Sequence, residues 1–468
     1  MVRDFFQRLM QTKLGLAGAV LTTASGFLIV AFFVMAMAGL EETPYLGILA
    51  YLVLPAIFVV GLLLMPLGTW LQRRRLRRGG PAAQPLPVFD LNEPRTLRRL
   101  LLFGALTAAN VLILAAAGFK GVEVMDRSQF CGSCHSVMDP EYTAYLRSPH
   151  SRVACVQCHI GPGASWFVKS KLSGAWQVVS VNLDLYPRPI PTPVENLRPS
   201  RDTCEQCHWP TKFVGDRLKV LERFADDEQS TPKKTVLLMH VGGGDVGHGI
   251  HWHVSPGVSI RYQSDPKRET IRTIEVTRAG GAVERYDLPN GEESPAVDPA
   301  TLEWRTMDCV DCHNRPTHQF RPAAYEVDGA IAAGRIDRSL PFVRREAMAA
   351  LTAKYADRAA AQAGIRDALS SFYEQQHPEV WAAKKEAVLA AADVLAEAWG
   401  HNVWPQMNIA WGTYPSLLGH EEATGCFRCH DDEHATAAGK KISQDCDTCH
   451  AVLADAEESP EILKLLGQ

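Results

Sequence analysis

The chain has no cysteine outside one recurring pattern. All 12 cysteines among its 468 residues fall into six Cys-x-x-Cys pairs, and a histidine directly follows every pair. Structural disulfides do not favour such two-residue loops, and a zinc site built from paired Cys-x-x-Cys units needs no histidine after the second cysteine. Because the chain has only 16 histidines, six such coincidences exclude chance. Disulfides and zinc are therefore the weaker interpretations.

Charge, motif spacing and hydropathy set further limits on what the chain can be. The formal net charge is −4, and no basic excess indicates a nucleic-acid partner. The spacing of the six cysteine units is irregular, which excludes a solenoid of equal repeats. The near-neutral mean hydropathy hides a division, because the first 120 residues are apolar and the rest resemble a soluble protein. A chain of this length is long enough for two or three domains.

The recurring unit is Cys-x-x-Cys-His, the attachment signature of c-type haem, in which two cysteines form thioethers and the histidine binds the iron. The sequence predicts six covalent haem c groups. Their attachment residues are Cys131, Cys134 and His135; Cys155, Cys158 and His159; Cys204, Cys207 and His208; Cys309, Cys312 and His313; Cys426, Cys429 and His430; and Cys446, Cys449 and His450.

Three apolar runs, at about 14–40, 45–71 and 100–119, have the length of membrane-spanning helices and contain no histidine. A buried b-type haem between them is therefore not expected. The first run is longer than the apolar core of a signal peptide, and the second follows it closely. Five arginines in 73–78 and three in 95–99 place this loop in the cytoplasm by the positive-inside rule. Three crossings then put the chain after Lys120 outside, on the side where haem c is attached.

The expected fold is mainly α with little regular structure: three N-terminal transmembrane helices, a small antiparallel β insertion and C-terminal helices. The predicted domains are a membrane anchor (1–120), a three-haem region (121–210), a β-rich insertion supplying axial histidines (211–305) and a three-haem helical region (306–468). Within them we predict a helix over 166–181, extended chain at the prolines of 187–193, and helices over 344–400 broken near 376–378. Short alternating runs at 235–239, 258–262, 270–276 and 282–288 predict the strands, and 462–466 forms a short amphipathic tail.

Each attachment histidine supplies one axial ligand, and a second ligand suits an iron to electron transfer, whereas an open position permits catalysis. Ten other histidines are present. Proximity to the motifs or clustering favours His150, His248, His251, His318, His420 and His434 as second ligands, with His253 and His240 in reserve. His377 and His401 lie in or beside the helical stretch and are interpreted as ordinary histidines. Met138, three residues after His135, is a candidate thioether ligand or a packing residue.

The stretch FCGSCHSVMDPEYTAYLRSPHSRVACVQCH resembles the NapC/NirT family of membrane-anchored multihaem cytochromes. The three-span start, MDCVDCHNRPTH and GCFRCHDDEH resemble ImcH-type inner-membrane cytochromes more closely. Two departures stand out: the usual anchor of the family is one helix, and its axial methionine stands two residues after the motif histidine.

The resemblance implies oxidation of quinol at the outer face of the cytoplasmic membrane and electron transfer to periplasmic c-type cytochromes, a terminal reductase or an extracellular acceptor. It also implies a lysine and a carboxylate near the first haem. Lys171, or Lys169, matches the lysine, and Asp184 and Asp139 match the carboxylate; Lys171, Asp184 and Met138 are the site residues we select.

Two other functions stay open from the sequence. One is a reductase acting on nitrite or a similar small substrate at a five-coordinate haem. The other is a haem-carrying subunit that receives electrons from a partner quinol oxidase. The number of spare histidines argues against an open iron, but their spacing does not decide it.

Overall fold

The computed structural model describes residues 13–37, 53–77, 92–133, 135–161, 164–194, 197–242, 249–289 and 298–467. The chain divides into two compact units, 1–133 and 134–468. In its described part, the first unit contains the helices α1 (Lys13–Met37), α2 (Leu54–Leu76), α3 (Pro94–Met125) and α4 (Ser128–Gly132).

The first three helices are long and apolar enough to cross a membrane, which confirms the three predicted apolar spans. Helix α3 is longer than expected and begins with Pro94, whose fixed φ suits the first helical position. The predicted start of the second span, 45–52, lies outside the described residues. Helices α1 and α2 approach closely, because a Cβ atom on Gly18 would stand 2.6 Å from the carbonyl oxygen of Gly61.

The second unit contains nine helices in its described part. They are α5 (His135–Leu146), α6 (Cys155–His159), α7 (Ala164–Asn182), α8 (Ser200–Cys204), α9 (Ala323–Ala332), α10 (Val343–Thr352), α11 (Arg358–Gln376), α12 (Pro378–Asn402) and α13 (Glu461–Leu465). The expected break near 376–378 is present, since His377 is non-helical and Pro378 starts α12. Helices α9 to α12 bury an alanine-rich core that includes Ile365, Leu369 and Leu395.

The described residues of the same unit form seven strands in two antiparallel sheets. They are β1 (Arg217–Phe224), β2 (Pro232–Met239), β3 (Val258–Ser264), β4 (Ile271–Arg278), β5 (Glu284–Asp287), β6 (Glu303–Thr306) and β7 (His450–Glu457). One sheet has the order β1-β2-β7 and the other β5-β4-β3-β6. The four predicted strands are present as β2 to β5, but they belong to two sheets rather than one. Strand β7 joins the chain's last motif to the first sheet, with His450 opposite Met239.

A second apolar cluster joins distant segments around α5. Val137 and Ala144 of that helix are buried with Phe320, Trp404 and Tyr414. Val181, Tyr186 and Ile190 pack against the same cluster. The end of α7 and the proline-rich chain after it are thereby held beside the helix that begins at the first motif histidine.

Candidate functional site

The second to fifth Cys-x-x-Cys-His units each fold as a single helical turn, whereas in the sixth the turn covers Cys446–Thr448 and His450 begins β7. The backbone N–H of His208 donates to the carbonyl oxygen of Cys204 at 2.8 Å, and His313 and His430 make the same bond within their own motifs. One turn of helix brings residues i, i+3 and i+4 to one face. Each turn therefore presents both cysteines and the histidine on the same side, as two thioether bonds and an axial nitrogen on one porphyrin require.

Five of the six attachment histidines face a second histidine from elsewhere in the chain. The ring centroids lie 6.0 Å apart for His208 and His150, 6.2 Å for His159 and His318, 6.5 Å for His313 and His251, 5.9 Å for His430 and His253, and 6.2 Å for His450 and His420. The side chain of His135 lies outside the described residues, as do Cys134 and His248.

This spacing fits an iron between two imidazoles. Each metal–imidazole bond is about 2.0 Å long, and the ring centroid lies about 1 Å beyond the bound nitrogen. Two imidazoles on opposite sides of one iron therefore have centroids about 6 Å apart. The rings of Phe213 and His251 lie closer, with their centroids 4.3 Å apart. In the described part of the chain, no group of three or more His, Cys, Asp or Glu side chains is arranged to hold a metal ion. The donor set thus suits a metal that brings its other ligands with it, as haem iron does.

Hydrogen bonds to Nδ1 fix the orientation of several paired rings. Nδ1 of His251 lies 3.1 Å from the carbonyl oxygen of Val241, and Nδ1 of His253 lies 2.6 Å from that of Ile250. Nδ1 of His430 lies 2.8 Å from the carbonyl oxygen of Ser443. A bond to Nδ1 selects the tautomer in which Nε2 is free to bind a metal.

Histidine 434 stands apart from the paired histidines. Its ring is 1% exposed, with Nδ1 2.7 Å from Asp431 Oδ2 and Nε2 3.2 Å from the carbonyl oxygen of Ile271. These contacts hold the ring between Asp431 and the start of β4 rather than opposite a motif histidine. His253, which the sequence placed in reserve, therefore replaces His434 in the assignment proposed below. The signal that could have found it is the cluster His251-Trp-His253, in which both histidines face motif histidines.

The other histidines without a motif partner have protein neighbours. Nδ1 of His240 lies 3.1 Å from Asp216 Oδ1. His377 packs among Phe342, Phe372 and Tyr373, while burial lowers the pKa of His401 beside Arg147.

Successive motifs are neighbours in space. The Cys204 and Cys309 thiols are hydrogen-bonded to each other, and Cys207 adds to the effect of burial in raising the pKa of Cys158. Burial, with Cys426 nearby, raises the pKa of Cys312 to about 11, and burial and Cys426 also raise that of Cys449. The second to sixth motifs therefore follow one another in chain order.

The three residues selected for a quinol site lie on or just after α5 and α7. Met138 is half-buried on α5 and Lys171 is half-buried on α7. Asp184 follows α7 with a positive φ of 54° and forms an exposed ion pair with Arg188, whose hydrogen bond lowers the pKa of the carboxyl group. The apolar cluster around Val137 brings the Asp184 turn to the α5 side of the unit. Of the alternatives, Lys169 lies over the Trp166 ring at 4.8 Å and Asp139 is exposed.

The comparisons with known proteins agree with these features. Residues 94–186 match the N-terminal region of the NapC/NirT cytochrome c family. The chain is 40% identical over 452 residues to the cytochrome c-type protein ImcH of Geobacter sulfurreducens, covering 95% of this chain and 89% of that protein. The chain belongs to the NapC/NirT cytochromes of the ImcH type. No solved structure matches it.

Membership confirms the resemblance seen in the sequence. The chain is a multihaem c-type cytochrome of membrane type, and the family implies that its haem is bound covalently. The matched region spans the third apolar helix, the first two motifs, α7 and Asp184. The candidate quinol residues therefore all lie within the part of the chain that the family model describes.

Proposed function

We propose that this cytochrome oxidises quinol at the outer face of the cytoplasmic membrane and relays the electrons through six c-type haems to a periplasmic or extracellular acceptor. The observation that carries the proposal is the set of five histidine pairs at 5.9–6.5 Å, together with the chain-order contacts between successive motifs. When bound, haem supplies the one-electron chemistry, and the protein supplies ligands and spacing.

In this proposal five irons are held by two imidazoles each. The pairs are His208 with His150, His159 with His318, His313 with His251, His430 with His253, and His450 with His420. Two nitrogen ligands leave no open position for a substrate, which supports electron transfer over reduction of nitrite at these five positions. Met138 lies three residues after His135 on α5 and is a candidate thioether ligand of the first haem.

Quinol oxidation releases two protons with two electrons, so the site needs groups that hold and accept protons. The hydrogen bond from Arg188 lowers the pKa of Asp184, and the carboxylate can accept a hydrogen bond from a quinol hydroxyl. Lys171 can donate to the other oxygen. The positive-inside rule supports the periplasmic side for all motifs, and the downstream partner is a periplasmic c-type cytochrome or a terminal reductase.

Two measurements on the purified full-length holoprotein test this function. Mass spectrometry should show six haem adducts, and a quinol analogue should reduce the haems in detergent. We expect Lys171→Ala to slow reduction by quinol while reduction by dithionite is unchanged; Lys354→Ala, on the exposed surface after α10, is the matched control. No reduction by any quinol would refute quinol oxidation and favour a subunit that receives electrons from a partner oxidase.

A further inference from the structure

Among the ten paired histidines, His318 has a distinct neighbour at its ring nitrogen Nδ1. Nδ1 of His318 lies 3.0 Å from the carbonyl oxygen of Glu141 and 3.2 Å from Oε2 of the same residue. Among the paired histidines in the described residues, His318 is the one with a carboxylate oxygen within 4 Å of a ring nitrogen. Where Nδ1 of another paired histidine forms a hydrogen bond, the acceptor is a backbone carbonyl oxygen, as for His251 and His253.

The carboxylate is held in place from the other side by a buried arginine. Nη2 of Arg315 donates to both carboxylate oxygens of Glu141 at 2.9 Å, and the two side chains are only 8% and 13% exposed. The Arg315 guanidinium also lies 4.0 Å from the Tyr414 ring centroid, and its Nε donates to the carbonyl oxygen of His318 at 2.5 Å. This packing fixes both the carboxylate and the ring it contacts.

We propose that Glu141 and Arg315 together set the reduction potential of the haem held by His159 and His318. A carboxylate beside the outer nitrogen of a ligating imidazole places a negative charge next to the ligand, and that charge favours iron(III). Arg315 offsets part of that charge. Glu141 is a positioning and tuning residue that acts through His318, and the inference rests on the ligand pair proposed above.

The two charges predict shifts of opposite sign. Glu141→Gln keeps the backbone carbonyl that accepts from His318 but removes the negative charge and leaves Arg315 buried without its partner. The reduction equilibrium of this one haem should move at least tenfold toward iron(II), which for one electron is about 59 mV. Arg315→Gln removes the positive charge and should move the same haem toward iron(III).

Glu326→Gln is the matched control. Glu326 is also a buried carboxylate that joins α5 to another helix, since Arg147 Nη2 donates to it at 2.7 Å and its side chain is 11% exposed. Its recorded partners are Arg147 and Asn402, neither of which is a ligand candidate. A general loss of stability should affect this variant as well, whereas the tuning effect should not.

The experiment is a redox titration of the full-length holoprotein, followed by optical and electron paramagnetic resonance spectra. One low-spin component shifting upward in Glu141→Gln and downward in Arg315→Gln, with none shifting in Glu326→Gln, supports the inference. An unchanged potential, shifts of the same sign, or conversion of that haem to high spin in Glu141→Gln overturns it. His318→Ala separates the two proposals: if it leaves the number of low-spin centres unchanged, the ligand pair itself is wrong.

Discussion

The choice between His253 and His434 as an iron ligand gives the sharpest test of the assignment. The ring of His253 lies 5.9 Å from that of His430, whereas the ring of His434 gives both nitrogens to Asp431 and the carbonyl oxygen of Ile271. His434 follows the fifth motif closely in sequence, whereas His253 lies far from it, so proximity in sequence favours His434. Replacing His253 by alanine should change the haem spectrum, whereas replacing His434 by alanine should lower the free energy of unfolding.

The expected sizes follow from these contacts. His253→Ala removes one of the two nitrogens proposed for one iron, so the haem at the fifth motif should become high-spin. His434→Ala removes a fully buried ring and its hydrogen bond with Asp431, leaving that carboxylate without its ring partner. A lost buried bond costs about 1–3 kcal/mol, and the cavity left by a large side chain raises the total to about 3–5 kcal/mol. The low-spin count should stay unchanged in this variant.

The assay combines the spin state of the oxidised holoprotein with its thermal unfolding in detergent. His377→Ala is a control, because His377 packs among aromatic rings at the start of α12 and faces no motif histidine. If His434→Ala produced the high-spin haem and His253→Ala did not, the pairing of His430 with His253 would be refuted.

Three further outcomes are expected. Gly61→Ile should destabilise the α1–α2 pair by about 1–3 kcal/mol, since a Cβ there would stand 2.5 Å from Thr22 Oγ1, while Gly104→Ile, with no atom within 4 Å, should not; thermal unfolding in detergent compares them. Tyr262→Phe removes a 2.7 Å hydrogen bond to the buried Asp311 carboxylate and should lower the free energy of unfolding by about 1.5–3 kcal/mol, whereas Tyr325→Phe, 57% exposed, should be neutral in the same denaturant titration. Hydrogen bonds from Arg278, Lys440 and Tyr286 lower the pKa of Glu284 from 4.5 to about 2, so its stabilising contribution is present above pH 4.5 and lost as pH falls toward 2. In Glu284→Gln the melting temperature should depend less on pH over that range. An unchanged pH dependence would show that the contacts of Glu284 with Arg278 and Lys440 do not contribute to stability.

Local pattern predicted the elements well because each depends on residues close in sequence. The three apolar runs became α1 to α3, and the alternating runs became β2 to β5. The break between α11 and α12 follows from Pro378. The assignment of strands to sheets was not predictable in this way. Strand β7 starts at the last motif histidine and pairs with β2, more than 200 residues earlier in the chain, which no local pattern records.

The motif residues were visible in the sequence, but the partners of their histidines were not. His318 meets His159 because Arg315 and Glu141 bind each other across two distant segments. Proximity to a motif led to His434, yet its place beside the Ile271 carbonyl oxygen is set by the packing of β4 against the fifth motif region. A histidine becomes a ligand through the contacts of its neighbours, and those contacts arise only in the folded chain.

The two residues between the cysteines of a motif have a consequence for how such cytochromes can change. Arg428, inside the fifth motif, donates to the carbonyl oxygens of Asp311 in the fourth motif and of Arg268 in the loop before β4. Asp311 in turn accepts from Tyr262 and Arg305. The residues inside the fifth motif thus bind directly to the fourth motif. Exchanging one of these motifs with that of another cytochrome would remove these hydrogen bonds, so the fourth and fifth motifs should be transferable between proteins only as a pair.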